Sequence, residues 1–135
     1  MDEKVFIDAN IFLEIFLGDE KCKLCEDYLN SLKENKIEVV TSDFIVYSCI
    51  LLVQNKLDES GIVSKVAVFF NSYPVKILRP SLGDIYDAAQ IMKKSIFDFD
   101  DALVLACMKN NNIKKLASMD KHFDKIKWID IINFR

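Results

Sequence analysis

Three aspartates stand where apolar segments end or helices begin. Asp8 closes the hydrophobic start of Val5-Phe6-Ile7-Asp8-Ala9-Asn10, Asp101 lies in Phe99-Asp100-Asp101-Ala102-Leu103, and Asp120 follows Leu116-Ala117-Ser118-Met119. Carboxylates delivered separately by strand ends and helix starts can converge at one edge of an α/β sheet, where a hard divalent cation takes oxygen ligands. The chemistry this spacing points to is a metal-dependent site.

The elements that must position these acids follow from periodicity and punctuation. Lys4 to Asp8 reads as a strand, and Asn10 to Leu17 as an apolar helix stopped by Gly18. Cys22, Cys25, Tyr28, Leu29 and Leu32 recur at helical spacing within Glu20 to Asn35. Ile37 to Thr41 gives a second strand, with Ser42 or Asp43 as the expected cap of a helix from Phe44 to about Gln54. A helix over Gly61 to Phe70, a strand over Val75 to Leu78, a helix from Pro80-Ser81 to Lys94 and another from Phe99 to Asn110 come next. Strand Lys115 to Ser118, a short helix near Asp120 to Lys125 and a strand at Trp128 to Ile131 complete the pattern. Strands alternating with helices imply a mainly parallel sheet of four or five strands covered on both faces, a three-layer α/β/α arrangement. Ligands of such sheets bind at the carboxyl ends of the strands, a rule that selects Asp8, Thr41, Ser42, Ser118 and Asp120. Asp101 joins them if its helix points its N-terminus into the same crevice.

Composition bounds the rest. A chain of 135 residues makes one ordinary domain, expected over residues 1–135, and can bury roughly two-thirds of its unfolded surface. With 51% hydrophobic and 29% charged residues, three Gly and two Pro, it is an ordered chain rather than a disordered tail. Its apolar stretches, such as Phe44 to Val53, are too short to span a bilayer, so no membrane partner is expected. The start Met1-Asp2-Glu3-Lys4 lacks a signal-peptide pattern, and cytoplasm is the expected compartment. Of the four cysteines, Cys22 and Cys25 form a C-x-x-C pair that no neighbouring Cys or His completes, so reduced thiols fit best. A net charge of -3 argues against a uniformly basic nucleic-acid binder while allowing local lysine patches. Lys93, Lys94, Lys109, Lys121, Lys125 and Lys127 are candidates for a phosphate-contacting rim, although a solvated surface is the default.

Three short motifs carry a resemblance. Phe6-Ile7-Asp8-Ala9-Asn10, Asp98-Phe99-Asp100-Asp101-Ala102-Leu103 and Ala117-Ser118-Met119-Asp120-Lys121-His122-Phe123 stand in the order and near the spacing of the acidic motifs of PIN-domain nucleases, the family that includes the VapC toxins of toxin–antitoxin pairs. The resemblance spans nearly the whole chain. It implies a PIN-like α/β/α fold in which Asp8, Asp101 and Asp120 are catalytic metal-binding acids, with Asp98 close enough to assist and Asn10 and Ser118 as supporting polar groups, to which Ser42 at its strand end and Ser48 on the following helix are added as further polar candidates. It also implies Mg²⁺ or Mn²⁺ as cofactor, RNA as substrate, hydrolysis of a phosphodiester by metal-activated water, a small antitoxin as partner and a homodimer.

One departure from the pattern stands out. Where PIN domains usually carry a glutamate about six residues into the helix after the second strand, Thr41-Ser42-Asp43-Phe44-Ile45-Val46-Tyr47-Ser48 places Ser48. A hydroxyl supplies no charge to a metal, so Asp98 or Glu14 would have to substitute, or the site would bind one ion less tightly or be inactive. The pattern resembles a divergent, largely archaeal subgroup. An alternative reading is therefore a weak or inactive PIN domain that serves as an RNA-binding or protein-interaction module. Helix capping competes with chemistry for these residues too. Asp98 is the natural N-cap of the helix from Phe99, and Asp100 and Asp101 fall in its first turn. Asp8 has no helix to cap unless Asn10 is displaced from that role. His122, the only histidine, is expected to be an exposed surface residue.

Overall fold

A computed structural model describes residues 3–57 and 61–134. The chain runs β1 (Lys4–Ile7), α1 (Ala9–Leu17), α2 (Cys22–Glu34), β2 (Glu38–Ser42), α3 (Asp43–Leu57), α4 (Ile62–Ser72), β3 (Val75–Leu78), α5 (Leu82–Lys94), α6 (Phe99–Asn110), β4 (Lys115–Ala117), a 3-10 helix (Lys121–Lys125) and β5 (Asp130–Ile132). The five strands form one sheet in the order β3-β2-β1-β4-β5, every neighbouring pair parallel. Helices flank this sheet in an α/β/α architecture, as the alternation of strand and helix patterns implies.

Strand β1 lies at the centre and reads as an unbroken apolar run because both of its faces are covered: Val5, Phe6 and Ile7 are all buried. The chain moves outward from β1 through β2 to β3, then returns to the other side of β1 for β4 and β5. This reversal puts a topological switch point between β1 and β4, where side chains at the strand ends diverge from a crevice. Helix α6 points into it. Ala102 through Met108 are buried without interruption, which is what a helix apolar on every side does when it is packed from several directions.

Further along α1, Phe12 and Phe16 meet Phe69 and Phe70 of α4 with ring centroids 4.9 to 6.0 Å apart, edge to face. Gly18 ends α1 in the left-handed conformation at φ 63°, where its backbone N–H reaches the carbonyls of Glu14 and Ile15. Two expectations change. Ser42 is the last residue of β2 and caps nothing, since α3 begins directly at Asp43, whose carboxylate pairs with Arg79 at 3.6 Å. The last strand starts at Asp130 rather than Trp128, because the ladder begins where the Asp130 N–H donates to the Lys114 carbonyl at 2.7 Å.

Candidate metal centre

The site is built outward from the end of β1. The Asp8 N–H still donates to the Ala117 carbonyl of β4 at 3.0 Å, so Asp8 leaves the sheet as its last paired residue and enters α1 as its N-cap. Its Oδ1 accepts from the Ala9 N–H at 2.8 Å. The helix thus begins one residue earlier than expected and the acid takes the cap that the sequence reserved for Asn10. The other oxygen, Oδ2, accepts from the Ser118 hydroxyl at 2.7 Å and from the Asn10 amide at 3.4 Å. Asn10 also donates to Ser118 Oγ at 3.3 Å and accepts from the Met119 N–H at 3.1 Å. The Ser118 oxygen accepts in turn from the Asp120 N–H at 3.1 Å. Asn10 and Ser118 therefore clamp the ends of β1 and β4 together and fix the Asp8 carboxylate between them.

Two more helix starts deliver the remaining acids. Asp98 N-caps α6 by accepting from the Asp101 N–H at 3.2 Å, and Asp120 caps the 3-10 helix by accepting from the His122 N–H at 2.9 Å. Their orientation brings the donor atoms of Asp101, Asp120 and His122 within 4.8 Å of one another. His122 Nδ1 lies 3.2 Å from Asp120 Oδ1 and 3.7 Å from Asp101 Oδ2. Asp8 stands just behind this group, 9% exposed, against 16% for the Asp101 side chain and 29% for that of Asp120.

Electrostatics ties the three aspartates into one unit. Burial pushes the Asp101 carboxyl up to about 6, with the charges of Asp98, Asp120 and Asp8 adding to the rise and His122 opposing it. The Asp8 carboxyl is also raised, by burial first; the Ser118 and Ala9 hydrogen bonds pull it back and the Asp120 and Asp100 charges push it up again. Every pair among Asp8, Asp101 and Asp120 is thus close enough to repel. Donors bound to one cation at about 2.1 Å lie up to about 4.2 Å apart, so Asp101, Asp120 and His122 fit a shared ion after closing by a few tenths of an ångström.

The family model of the PIN domain matches residues 5–129. The chain belongs to the PIN-domain family. Ribonuclease VapC6 of Methanocaldococcus jannaschii is 26% identical, with 95% of each chain covered. Among solved structures, the PIN domain described above is similar to VapC20 of Mycobacterium tuberculosis, a sarcin-ricin loop cleaving toxin, with a TM-score of 0.76, 17% identity and coverage of 93% of this chain and 96% of that one. VapBC2 of Rickettsia felis, solved with a promoter DNA fragment, superposes with a TM-score of 0.75 at 16% identity, covering 98% of this chain and 99% of that one. A toxin–antitoxin complex from Klebsiella pneumoniae gives 0.67 at 15%, covering 96% of both.

Other residues singled out in the sequence fall around the PIN-domain centre unevenly. Ser42 is fully buried, and its hydroxyl has no hydrogen-bond partner among the described residues; extending the β1–β2 register beyond Phe6 and Val40 places it opposite Asp8. Thr41 turns away and donates to the Ile7 carbonyl at 2.9 Å. Ser48 is half-buried on α3. Its neighbour Cys49 donates to the Ala9 carbonyl at 3.9 Å, and burial together with the Asp8 charge pushes that thiol up to about 12. Helix α3 therefore passes the start of α1 at the position where the family's glutamate would stand. Glu14 is occupied elsewhere: it accepts from the Lys21 N–H at 3.0 Å and holds the connection to α2.

The lysine rim divides. Lys121 and Lys125 are exposed on the 3-10 helix beside the acids. Lys94 and Lys109 line a separate cleft between α5 and α6, with Lys109 about 12 Å along α6 from Asp101. Of the aromatic residues, Phe97 is buried and stacks on Phe123 with centroids 5.6 Å apart, whereas Phe99 is exposed at the start of α6. His122 is exposed as expected, at 60%, yet it stands beside Asp101 and Asp120, a placement not expected from the sequence. Its signal was its place two residues after Asp120, a spacing that an Asp-capped turn folds back onto the capping carboxylate.

Proposed function

We propose that this PIN domain is a divalent-metal-dependent endoribonuclease acting as the toxin of a toxin–antitoxin pair. The observation that carries the reading is the convergence of Asp8, Asp101 and Asp120, from a strand end and two helix starts, into one mutually repelling cluster at the switch point. The Ribonuclease VapC6 relative and the toxins among the structural neighbours support it. Asp101 and Asp120 would hold Mg²⁺ or Mn²⁺, with Asp8 as the buried central acid. When bound, the ion lowers the pKa of its water and neutralises charge gathering on the phosphoryl oxygens. Ser118 and Asn10 orient Asp8 by donating to its Oδ2, while the Ala9 N–H holds Oδ1. Asp98 caps α6, and its charge adds to the rise of the Asp101 carboxyl. Lys121 and Lys125 would meet the RNA backbone next to the acids, and exposed Phe99 offers a stacking face for a base.

The partner in this reading is a small antitoxin and the working form a homodimer. Exposed apolar side chains at Tyr47 and Leu51 on α3, and at Leu82 and Tyr86 on α5, support such pairing. The whole chain acts as one unit, in the cytoplasm, consistent with its four free cysteines. The test is cleavage of a varied RNA pool by the purified protein with Mn²⁺, with Mg²⁺ and with chelator, beside Asp8→Asn. Metal-dependent cleavage lost in the variant is the expected result. Metal binding without cleavage of any RNA would replace the nuclease reading with that of a PIN module for RNA or protein binding, the role that Ser48 at the glutamate position favours.

A further inference from the structure

The imidazole of His122 belongs to the acid cluster for a reason that lies outside the cluster. Phe123, the next residue, is fully buried and stacks on Phe97 at an interplanar angle of 23°. Phe97 immediately precedes Asp98, the cap of α6. This stacked pair fastens the 3-10 helix to the start of α6, while Asp120 fastens the same helix at its other end by accepting the His122 N–H at 2.9 Å. Held on both sides, the ring is 60% exposed, yet its Nδ1 stands 3.2 Å from Asp120 and 3.7 Å from Asp101. The resulting donor set is two carboxylate oxygens and one imidazole nitrogen, all within 4.8 Å.

A mixed set of this kind discriminates between metals. Mg²⁺ prefers an octahedron of oxygens, whereas first-row transition ions accept imidazole nitrogen readily. We propose that His122 is a nitrogen ligand of the metal centre, binding through Nδ1, and that it biases the centre toward Mn²⁺ and related first-row ions over Mg²⁺. The inference rests on the proposed metal centre and adds to it the identity of a donor and the class of ion selected.

The test is metal binding rather than turnover. Mn²⁺ and Mg²⁺ are titrated calorimetrically into the purified protein and into His122→Ala, His122→Gln and Asp120→Asn, and the Mn²⁺ forms are examined by pulsed electron paramagnetic resonance for coupling to a nitrogen nucleus. The parent should show that coupling, and both His122 variants should lose it. Their Mn²⁺ affinity should fall at least about 10- to 100-fold, the loss that removing even a hydrogen-bond partner of a metal ligand produces, while Mg²⁺ affinity moves by less than about twofold. Because the ring is largely exposed, both variants should keep the parent's metal-free melting temperature, and glutamine retains a polar group near Asp120 without supplying the imidazole. Mn²⁺ binding without nitrogen coupling, or equal losses for Mn²⁺ and Mg²⁺, would overturn the assignment of His122 and leave the metal centre standing. Absence of Mn²⁺ binding by the parent would overturn the centre and the inference together.

Discussion

Two regions of this molecule gather aspartates, and they treat the charge in opposite ways. In the cleft between α5 and α6, Asp84 and Asp87 share one donor, the Asn110 side-chain amide, at 2.6 and 3.0 Å. Asp84 also completes a capping box with Ser81, accepting the Ser81 N–H at 2.8 Å. Burial raises the Asp84 carboxyl, but the Asn110 and Ser81 hydrogen bonds outweigh it and leave it lowered. At the carboxyl edge of β1 and β4 the balance reverses. Asp8 and Asp101 are more buried, and there burial together with neighbouring carboxylates outweighs the Ser118 and Ala9 hydrogen bonds to Asp8 and the influence of His122 on Asp101. Acids in the cleft are satisfied by the chain itself, whereas at the sheet edge the Ser118, Asn10 and Ala9 donors to Asp8 and the His122 ring beside Asp101 leave both carboxyls raised. The contrast separates aspartates that finish a structure from those that the proposed metal centre would use.

Several substitutions would break or sharpen this contrast. The largest effect is expected for Asp8→Asn. Asparagine keeps an oxygen for the Ala9 N–H but removes the charge, so RNA cleavage should fall on the order of 10²- to 10³-fold, as when one preorganised electrostatic group is deleted, while circular dichroism stays unchanged. Cleavage at the parental rate would place the active acids elsewhere.

Asp101→Asn should stabilise the metal-free protein. The folded-state carboxyl, at about 6, lies above its ordinary value of 3.8, so the native state binds the proton more tightly. The parent therefore loses stability as pH rises through that window. Discounted for solvent screening and for the lost helix-start charge, the variant should gain about 1–2 kcal/mol at pH 7 and almost nothing near pH 4. Saturating Mn²⁺ should reverse the order, because only the parent is stabilised fully by the ion. Denaturant titrations at both pH values measure this, and a variant less stable than the parent at pH 7 would make Asp101 a helix-start residue and nothing more.

Ser48→Glu tests whether α3 can supply the missing carboxylate. If position 48 reaches the ion, Mn²⁺ affinity should rise about tenfold, equivalent to 1.4 kcal/mol; an unchanged titration would show that this turn of α3 lies out of reach. The smallest effect belongs to the comparison region. Asn110→Ala should cost about 0.5–1 kcal/mol by removing an exposed donor shared by two carboxylates, mostly above the ordinary carboxylate range, where Asp84 is ionised. It should leave the Mn²⁺ dependence of melting untouched. A change in metal response there would erase the distinction between the two acidic regions.

Legibility in the sequence tracked how local the cause was. Val75–Leu78 and Phe99–Asn110 form over the residues expected, because β-branched periodicity and an Asp cap act within one element. The expected cap at Ser42 and the last strand's start depended on how β2 runs into α3 and on the register against β4, which are contacts between elements. The same division holds at the site. The three aspartates are visible as acids at element ends, but the displacement of Asn10 from the cap by Asp8 and its recruitment as a clamp to Ser118 and Met119 require β1 and β4 to be neighbours.

The sequence by itself determined the alternation of strand and helix, the apolar run of β1, and the identity of the acids, since each follows from side-chain type and spacing along a few residues. Only the tertiary structure decided that Asp8, Asp101 and Asp120 repel one another, that Glu14 serves the α1–α2 connection instead, and that His122 stands over two carboxylates. Those outcomes depend on distances between residues up to about a hundred positions apart in the chain. Such distances are fixed by the parallel register of β1 with β4 and by the Phe97–Phe123 stack, and no local pattern encodes them.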